Sequence, residues 1–262
     1  MIPKDILHLT VCSDMRKNIL ISLNEHEKSL GDLRDGLKIS STTALHALKE
    51  LEKSNLTYQR ENKIYALTNI GRIMALKLLD FNNAAEVMKK HERFWLEHDI
   101  SGIPDHLLLK IGNLKNSFIE KAPSTDIFKV YSTFIELLKN AREIRGVSSI
   151  FVPDYSIIFR ELILNRKIDT KLVLTEEVLN KLDKEILNEI CKDKSTKLEL
   201  YITDRNIKIG FMSTDSALSL GMYDHQGTYD WNQDLISYDK EALDWGYELF
   251  DFYAKKSEMI RL

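Results

Sequence analysis

A run of hydrogen-bond donors between residues 41 and 49 offers the clearest chemistry in this sequence. The donors are Ser41, Thr42, Thr43, His46 and Lys49. Hydroxyl, imidazole and ammonium groups of this kind can reach phosphate oxygens or base edges. Apolar residues recur between them at three- and four-residue steps, at Ala44, Leu45, Leu48 and Leu51. The spacing predicts a helix with one buried face and one polar face.

Two basic residues follow in a segment that is no longer helical. Residues 56–60 and 64–67 are β-prone, and Asn62 lies near the turn between them, which predicts a hairpin. Between Lys53 and Arg72 the only acidic residue is Glu61. Arg60 and Lys63 are therefore candidate phosphate contacts. Acidic residues at positions 50 and 52 of the preceding helix confine its contact surface to the N-terminal half.

The elements that must position these groups form a known pattern. The spacing predicts short helices over residues 13–24 and 29–37, with Ser13 as an N-cap of the first. Ser40 or Ser41 caps the third helix, which ends near Asn55. Three helices followed by a hairpin are typical of a winged helix, in which the third helix enters the DNA major groove and the hairpin reaches the adjacent backbone.

The remainder of the chain predicts a helical linker and then an α/β domain. A helix over residues 70–98, with a break near 81–83, precedes a hinge at 99–104 and a second break at 122–125. Helices are predicted over residues 128–145, 155–165, 178–191 and 239–258, and strands over residues 147–152, 170–175, 198–203, 207–212 and 216–222. We assign residues 1–72 to the winged helix-turn-helix, 73–126 to the linker and dimerisation region, and 127–262 to the α/β effector-sensing domain.

Candidate ligand-binding residues follow the predicted strands of the α/β domain. Ligands in such folds bind at the carboxyl ends of strands. The candidates are Asp154 and Tyr155 after one strand, and Tyr223, Asp224, Tyr229 and Trp231 in one loop. The mixture of aromatic and polar groups suits a small polar metabolite such as a sugar or an anion. Alternatively, Trp231 is a core anchor with a solvated edge, as we expect for Trp245.

No catalytic constellation accompanies these residues. A phospholipase-D-type site needs a His nucleophile, a Lys two residues later and an Asp, but the only histidine beyond residue 106 is His225, followed by Gln226 and Gly227. The sequence contains no Walker loop, GxGxxG, GxSxG or HExxH motif. We expect no catalytic residues, no metal site and no cofactor.

Composition and charge narrow the function classes further. The net charge is −3, which excludes an overall polycation, yet residues 1–72 hold 11 Lys/Arg and 9 Asp/Glu, while the remainder holds 26 and 31. No stretch approaches a membrane span, and the N-terminus lacks the features of a signal peptide. Cys12 and Cys191 form no motif and are expected to be buried. We expect a cytoplasmic protein with no membrane partner.

Two stretches also carry a family resemblance. SSTTALHALKELEKSNL (residues 40–56) and YALTNIG (residues 65–71) resemble the recognition helix and wing exit of archaeal and bacterial winged-helix regulators, although Asn55 replaces the usual Gly. LSLGMYDHQGTYDWNQDLISYDKEALDWGYELFDFY (residues 218–253) resembles the end of methanogen regulators of the filamentation and methanogenesis type. The resemblance implies a winged helix before a domain related to the phospholipase-D-like sensor half of archaeal sugar-responsive regulators.

Together these features predict a transcriptional regulator that binds double-stranded DNA as a homodimer and senses a small effector. The apolar positions of residues 70–98 that could form the two-fold interface are Ile73, Leu76, Leu79, Val87 and Phe94. Two alternatives stay open. One is a winged-helix protein-interaction scaffold without sequence-specific DNA binding, and the other is an α/β hydrolase with a nucleic-acid-targeting front end.

Overall fold

The computed structural model describes residues 4–204 and 206–260. The chain divides into two compact units between Ala85 and Glu86. The first unit contains helices α1 (Lys4–Val11), α2 (Asp14–Glu25), α3 (Leu30–Leu37) and α4 (Ser41–Lys53), strands β1 (Lys28–Ser29), β2 (Thr57–Gln59) and β3 (Ile64–Leu67), and most of α5 (Asn69–Lys90).

Serine side chains begin three of these helices. Ser13 accepts a hydrogen bond from the amide of Arg16 at the start of α2, and Ser40 accepts one from the amide of Thr43 at the start of α4. Ser29 forms a reciprocal capping box with Asp32 in α3. The apolar faces that result pack into one core, which includes Ile19, Leu20, Leu23, Leu33, Leu48, Leu51, Leu56 and Tyr65. The predicted order of three helices and a hairpin is confirmed.

The hairpin belongs to a small antiparallel sheet of order β1-β3-β2. Helix α4 ends just before Asn55, close to where the sequence predicts, and Asn55 has a left-handed backbone with φ of 56°. Thr68 then begins α5 by accepting a hydrogen bond from the amide of Gly71. A β-carbon at Gly71 would overlap the carbonyl of Leu56, so only glycine lets α5 start against the hairpin. The first unit is therefore a winged helix.

The second unit is built on one mixed sheet. Its helices are α6 (Glu92–Glu97), α7 (Asp105–Leu108), α8 (Lys129–Asn140), α9 (Pro153–Arg160), α10 (Glu176–Lys181), α11 (Lys184–Lys192) and α12 (Lys240–Ala254), with 3-10 turns at Ile100–Gly102 and Ile111–Leu114 and a π-helical turn at Glu161–Asn165. Its strands are β4 (Phe118–Lys121), β5 (Glu143–Ser148), β6 (Asp169–Thr175), β7 (Leu198–Thr203), β8 (Ile209–Thr214), β9 (Leu218–Met222), β10 (Gln233–Ser237) and β11 (Glu258–Ile260).

The strand order in this sheet is β11-β7-β6-β5-β8-β9-β10-β4. Strands β5, β6 and β7 are parallel, and every other neighbouring pair is antiparallel. Helix α12 lies on one face, where Gly246 packs against Leu218 and Ser213. Trp245 is a core anchor, as predicted, and its indole N–H donates to the carbonyl of Leu107 at 3.0 Å.

Helices α8 and α9 cover the opposite face of the sheet. Residues of α8 such as Leu138 share one apolar cluster with Ile144 of β5, Met212 of β8 and Ile236 of β10. Toward the other edge, α10 packs Val178 into a cluster with β6 and β7 residues. The sequence prediction of an α/β back half is confirmed, with helices on both faces of one sheet.

The predicted hinge at residues 99–104 is wrong. This segment forms a 3-10 turn inside the second unit, where Gly102 and Ile103 are buried. The Tyr253 hydroxyl donates to the carbonyl of Gly102 at 2.6 Å, and the amide of Asp99 donates to the carbonyl of Tyr223. Pro and Gly here shape a packed turn because neighbouring elements satisfy its backbone.

Two smaller expectations are also wrong. Helix α5 runs unbroken through residues 81–83 and ends at Lys90, since exposed or half-buried Asn residues cost a helix only a fraction of a kcal/mol. Both cysteines, Cys12 and Cys191, are exposed and free. Apolar neighbours in sequence predicted burial, but each cysteine lies on the solvent side of its segment.

Candidate nucleic-acid interface and candidate ligand cavity

The polar face of α4 is oriented by its cap and by its buried face. Ala44, Ala47, Leu48 and Leu51 are all buried. Leu45, expected to point inward with them, is only half-buried. A helix packed along this stripe must present the intervening positions to solvent.

The residues predicted for nucleic-acid contact lie on that exposed side. Thr42, Thr43, His46 and Lys49 are exposed, and Ser41 is half-buried. The Thr43 hydroxyl lies 2.8 Å from the Ser40 hydroxyl, so it shares the N-terminal cap. Within the described part of the chain, the side chains of His46 and Lys49 have no hydrogen-bond or ion-pair partner. Their donors are available to a partner in solution.

The hairpin places its two predicted basic residues differently. Lys63 is exposed at the turn in a left-handed conformation, with φ of 63°. Arg60 is exposed as well, but its guanidinium forms an ion pair of 2.5 Å with Glu27 and lies 5.9 Å from the centroid of the Tyr58 ring. Lys63 is thus free to contact a phosphate, whereas Arg60 must first break its ion pair with Glu27.

A cavity of about 130 Å³ lies in the second unit, between the sheet and the helices α8 to α11. Its floor includes Gly146, Ser148, Leu172, Leu174, Leu200, Gly210 and Met212. Its helical wall includes Phe134, Tyr155, Phe159, Val178, Ile186 and Ile190. Most of this lining is aliphatic or aromatic, so the cavity favours an apolar body.

One corner of the cavity is polar. Asp234, in β10, is only 5% exposed and lines the cavity. Its Oδ2 accepts a hydrogen bond of 2.8 Å from the Ser219 hydroxyl. Its Oδ1 is buried without a hydrogen-bond partner among the described residues. A carboxylate in this environment has one oxygen left to accept a hydrogen bond.

Two glycines make room for the aromatic side of the same corner. Gly210 and Gly221 pair across β8 and β9. A β-carbon on Gly221 would overlap both the Tyr229 hydroxyl and the Asp234 carboxylate, and one on Gly210 would press on the Tyr229 ring. The absence of a side chain at these two positions leaves room on the sheet for the Tyr229 ring and the Asp234 carboxylate.

Burial changes the acidity of these groups. Loss of water raises the pKa of Asp234 to about 6, the Ser219 hydrogen bond lowers it, and the charge of Asp230 raises it further. The pKa values of the Tyr155 and Tyr229 hydroxyls are raised too, first by burial and then by the charge of Asp234. Both tyrosines therefore stay protonated at neutral pH.

The structure brings together only half of the ligand-binding residues that the sequence suggests. Tyr155, Tyr229 and Trp231 line the cavity, and Trp231 stays 47% exposed at its edge. The other three are engaged elsewhere. Asp154 accepts a hydrogen bond from the Tyr131 hydroxyl, Tyr223 lies 2.7 Å from the Ser149 hydroxyl, and Asp224 accepts from the amides of Gln226 and Thr228.

Sequence reasoning missed Asp234 because it assigned no strand to QDLIS (residues 233–237). Asp is depleted in strands, so no propensity marks β10. A single carboxylate beside Leu235 and Ile236 is the one signal that could have found it.

Within residues 4–204 and 206–260, no group of three or more His, Cys, Asp or Glu side chains could hold a metal ion. His91 lies 3.0 Å from the Ser117 hydroxyl, and His98 lies 2.7 Å from the carbonyl of Phe94. Over the same residues, no helix is long and apolar enough to cross a membrane.

Two solved structures are similar to this chain, each at low sequence identity. The structure of TrmBL2, described as an archaeal chromatin protein with a novel mode of DNA binding, has a TM-score of 0.45 and 16% identity, over 92% of this chain and 91% of TrmBL2. Nuc, a phospholipase D family member from Salmonella typhimurium, has a TM-score of 0.43 and 12% identity, over 56% of this chain and 99% of Nuc.

Sequence comparison is more specific. Residues 4–84 match the N-terminal domain of the methanogenesis regulatory protein FilR1, and residues 127–256 match its middle domain. FilR1 of Methanothrix harundinacea (strain 6Ac) is 30% identical over 252 residues, which are 94% of this chain and 56% of that relative. The chain thus spans little more than half the length of this curated relative. The resemblance drawn from residues 40–56, 65–71 and 218–253 is confirmed, and the chain belongs to the family of FilR1 methanogenesis regulatory proteins.

Proposed function

We propose that this chain is a transcriptional regulator that binds double-stranded DNA as a homodimer and senses a small molecule in its second unit. The observation that carries the proposal is the exposed, unpaired pair His46 and Lys49 on the outer face of α4. Membership in a family of regulatory proteins supports the same function.

In the proposed complex, the N-terminal half of α4 enters the major groove. Imidazole and ammonium groups there can donate to base edges and phosphates, and Thr42 adds a hydroxyl and a methyl group. The hairpin turn would place Lys63 on the adjacent backbone. Glu50 and Glu52, both half-buried, lie toward the C-terminal half of α4 and keep that half away from phosphates.

The apolar surface of α5 supports the proposed homodimer. Ile73 is 61% exposed, Phe81 is 67% exposed, and Ile70 is also exposed on the same helix. The spacings of three and eight residues keep these side chains on one face. Of the interface residues expected from the sequence, Ile73, Leu76 and the half-buried Leu79 remain candidates, whereas Val87 and Phe94 are buried. Pairing through α5 would space two α4 helices by about 34–36 Å, one turn of DNA.

Sensing is assigned to the cavity of the second unit. An effector that prefers one arrangement of the dimer changes DNA affinity only by its difference in affinity for the two arrangements, typically about 1–3 kcal/mol. The cavity has an apolar body and one polar corner, as small-molecule sites commonly do.

Selection of genomic DNA fragments by the full-length protein, followed by sequencing, tests the proposal. A regulator should enrich a reproducible motif with two half-sites about one helical turn apart. An interaction scaffold without DNA readout would enrich no motif and would retain fragments only at low salt. That second outcome would reject DNA recognition by α4.

A further inference from the structure

The space inside the cavity suits a small molecule. Its volume of about 130 Å³ is close to the roughly 150 Å³ of an apolar protein cavity that accepts benzene. A disaccharide or a nucleotide is far larger than this space. A compact ring or a short branched chain fills it.

The lining also limits the polarity of the ligand. A sugar would bring several hydroxyls against leucine, isoleucine and phenylalanine side chains, and each would lose its hydrogen bonds to water without a replacement. The described lining offers only a few polar side chains. Among them Asp234 combines near-complete burial with an oxygen that has no partner.

The charges around the cavity are of one sign. Within the described residues, the lining contains no Lys, Arg or His, and its carboxylates are Asp183 and Asp234. Asp183 is already committed to the amides of Glu185 and Ile186, where it caps α11. The groups around Asp234 are the hydroxyls of Ser219, Tyr155 and Tyr229 and the carboxylate of Asp230, which itself lies 3.3 Å from the His98 imidazole. An anionic ligand would meet the negative charge of Asp234, and a cation would gain a partner.

We infer that this cavity binds a small apolar amine, with a body of about the size of benzene and an ammonium group that donates a hydrogen bond to Asp234. The inference deepens the proposed sensing function, because it names the ligand class of the same site. The amine fills the apolar space, and its N–H satisfies the unpartnered oxygen.

Four probes of similar shape test this ligand class on the full-length protein by titration calorimetry. Benzylamine carries the ammonium, benzyl alcohol a neutral donor, toluene no donor and benzoate an anion. We expect benzylamine to bind at least about tenfold more tightly than toluene, with benzyl alcohol between them and no binding of benzoate. Equal affinities of benzylamine and toluene, or binding of benzoate, would overturn the inference.

Asp234→Asn is the matching variant, since it keeps the shape and removes the charge. We expect it to weaken benzylamine about tenfold and to leave toluene within about twofold. Asp244→Asn makes the same chemical change at an exposed position of α12 and should alter neither affinity. An unchanged benzylamine affinity in Asp234→Asn would remove this residue from the site.

A pH series on the unmodified protein tests the same point without a substitution. Benzylamine stays protonated from pH 5 to pH 7, while Asp234 loses its proton near pH 6. The affinity of the protein for benzylamine should rise from pH 5 to pH 7, and binding near pH 6 should release a proton. A flat profile would contradict an ion pair with Asp234.

Failure of the ligand class and failure of the proposed sensing function give different results. If benzylamine binds as expected but leaves the affinity for a selected DNA site unchanged, the amine site stands and the regulatory coupling is wrong. If toluene binds as well as benzylamine and changes DNA affinity, sensing stands and the amine class is wrong. If no probe binds at millimolar concentration, the inference is rejected.

Discussion

The two units hold their functional polar groups in opposite environments. In the winged helix, His46, Lys49 and Lys63 are exposed and have no partner among the described residues. In the second unit, Asp234 is almost fully buried, with one oxygen satisfied and one not. Exposed charges meet a polyanion at many points, and salt screens those contacts. A buried charge meets one group, and its response follows pH rather than salt.

The position of the tryptophans allows unfolding of the two units to be followed separately. All three tryptophans, Trp95, Trp231 and Trp245, lie in the second unit. Tryptophan fluorescence therefore reports unfolding of the second unit alone. Circular dichroism reports helices of both units, so the difference between the two signals follows the winged helix.

The largest expected effect is at Gly71. An added methyl group there would overlap the carbonyl of Leu56, which is backbone and cannot rotate away. We expect Gly71→Ala to lower the free energy of unfolding of the winged helix by about 3 kcal/mol or more and to leave the tryptophan transition in place. Gly36→Ala is the control, because no atom lies within 4 Å of its added methyl group in α3. It should stabilise α3 by about 0.5–1 kcal/mol. A shift of the tryptophan transition by Gly71→Ala would show that the units do not unfold separately.

The next effect is the cost of burying Asp234. Its pKa is raised from 3.8 to about 6 in the folded chain, so the unfolded chain loses this proton first as pH rises. The contribution of Asp234 to the free energy of unfolding is therefore highest below about pH 4 and falls as pH rises toward 6. Above pH 6 the loss levels off at about 3 kcal/mol.

Asp234→Asn removes that dependence. We compare the free energies of unfolding of the variant and the unmodified chain by denaturant titration followed by tryptophan fluorescence. The difference between them, in favour of the variant, should grow by about 2 kcal/mol from pH 4.5 to pH 7.5. Asp244→Asn, at an exposed position, is the control, and its free energy of unfolding should change between pH 4.5 and pH 7.5 as that of the unmodified chain does. A constant difference between Asp234→Asn and the unmodified chain would mean that Asp234 is not buried in solution.

The third effect concerns dimerisation through α5. Replacing Ile73 and Phe81 of α5 by Asp puts two charges into the proposed apolar interface. We expect light scattering at micromolar concentration to change from a dimer to a monomer, and the affinity for a two-half-site DNA to fall at least about tenfold. Replacing Glu86 by Lys is the control for a change of charge, because Glu86 is exposed on the same helix about 140° away from Ile73 and Phe81. A monomer in the unmodified protein would reject the interface outright.

The smallest effect is expected at Lys63. Lys63→Ala should weaken binding to every DNA sequence alike and reduce the slope of log K against log salt by about 0.9, the contribution of one phosphate. Arg60→Ala should change the slope less, because Arg60 is already paired with Glu27. Equal slope changes would mean that Arg60 leaves Glu27 when DNA binds. A loss confined to one sequence would mean that Lys63 contacts a base.

The sequence predicts local elements of the winged helix well, because each has a nearby signal. Ser13 and Ser40 cap helices as expected, Asn55 takes the left-handed exit, and β3 has the predicted bounds. The polar face of α4 follows from helical spacing alone. Caps, the helix exit and helical spacing are local signals, so the sequence carries most of the information about these elements.

The second unit depends on contacts between distant residues, and there the sequence is less informative. Strand β4 pairs with β10, more than 100 residues later in the chain, and neither was predicted. The helix expected to reach residue 145 ends at Asn140. Just beyond it, the Asp215 carboxylate accepts a hydrogen bond from the backbone amide of Arg142. β5 consequently begins at Glu143 rather than at 147. The polar corner at Asp234 exists only because three antiparallel strands bring it beside Gly221 and Tyr229.

Readout of DNA by α4 is the central claim, and one affinity measurement tests it most directly. The full-length protein and the His46→Ala variant are titrated, by fluorescence anisotropy at fixed salt, with the selected DNA site and with a scrambled site of equal composition. We expect the unmodified protein to prefer the selected site, and His46→Ala to lose about 1–3 kcal/mol of that preference while its affinity for the scrambled site stays unchanged. An equal preference in both proteins would contradict contact between the outer face of α4 and the bases.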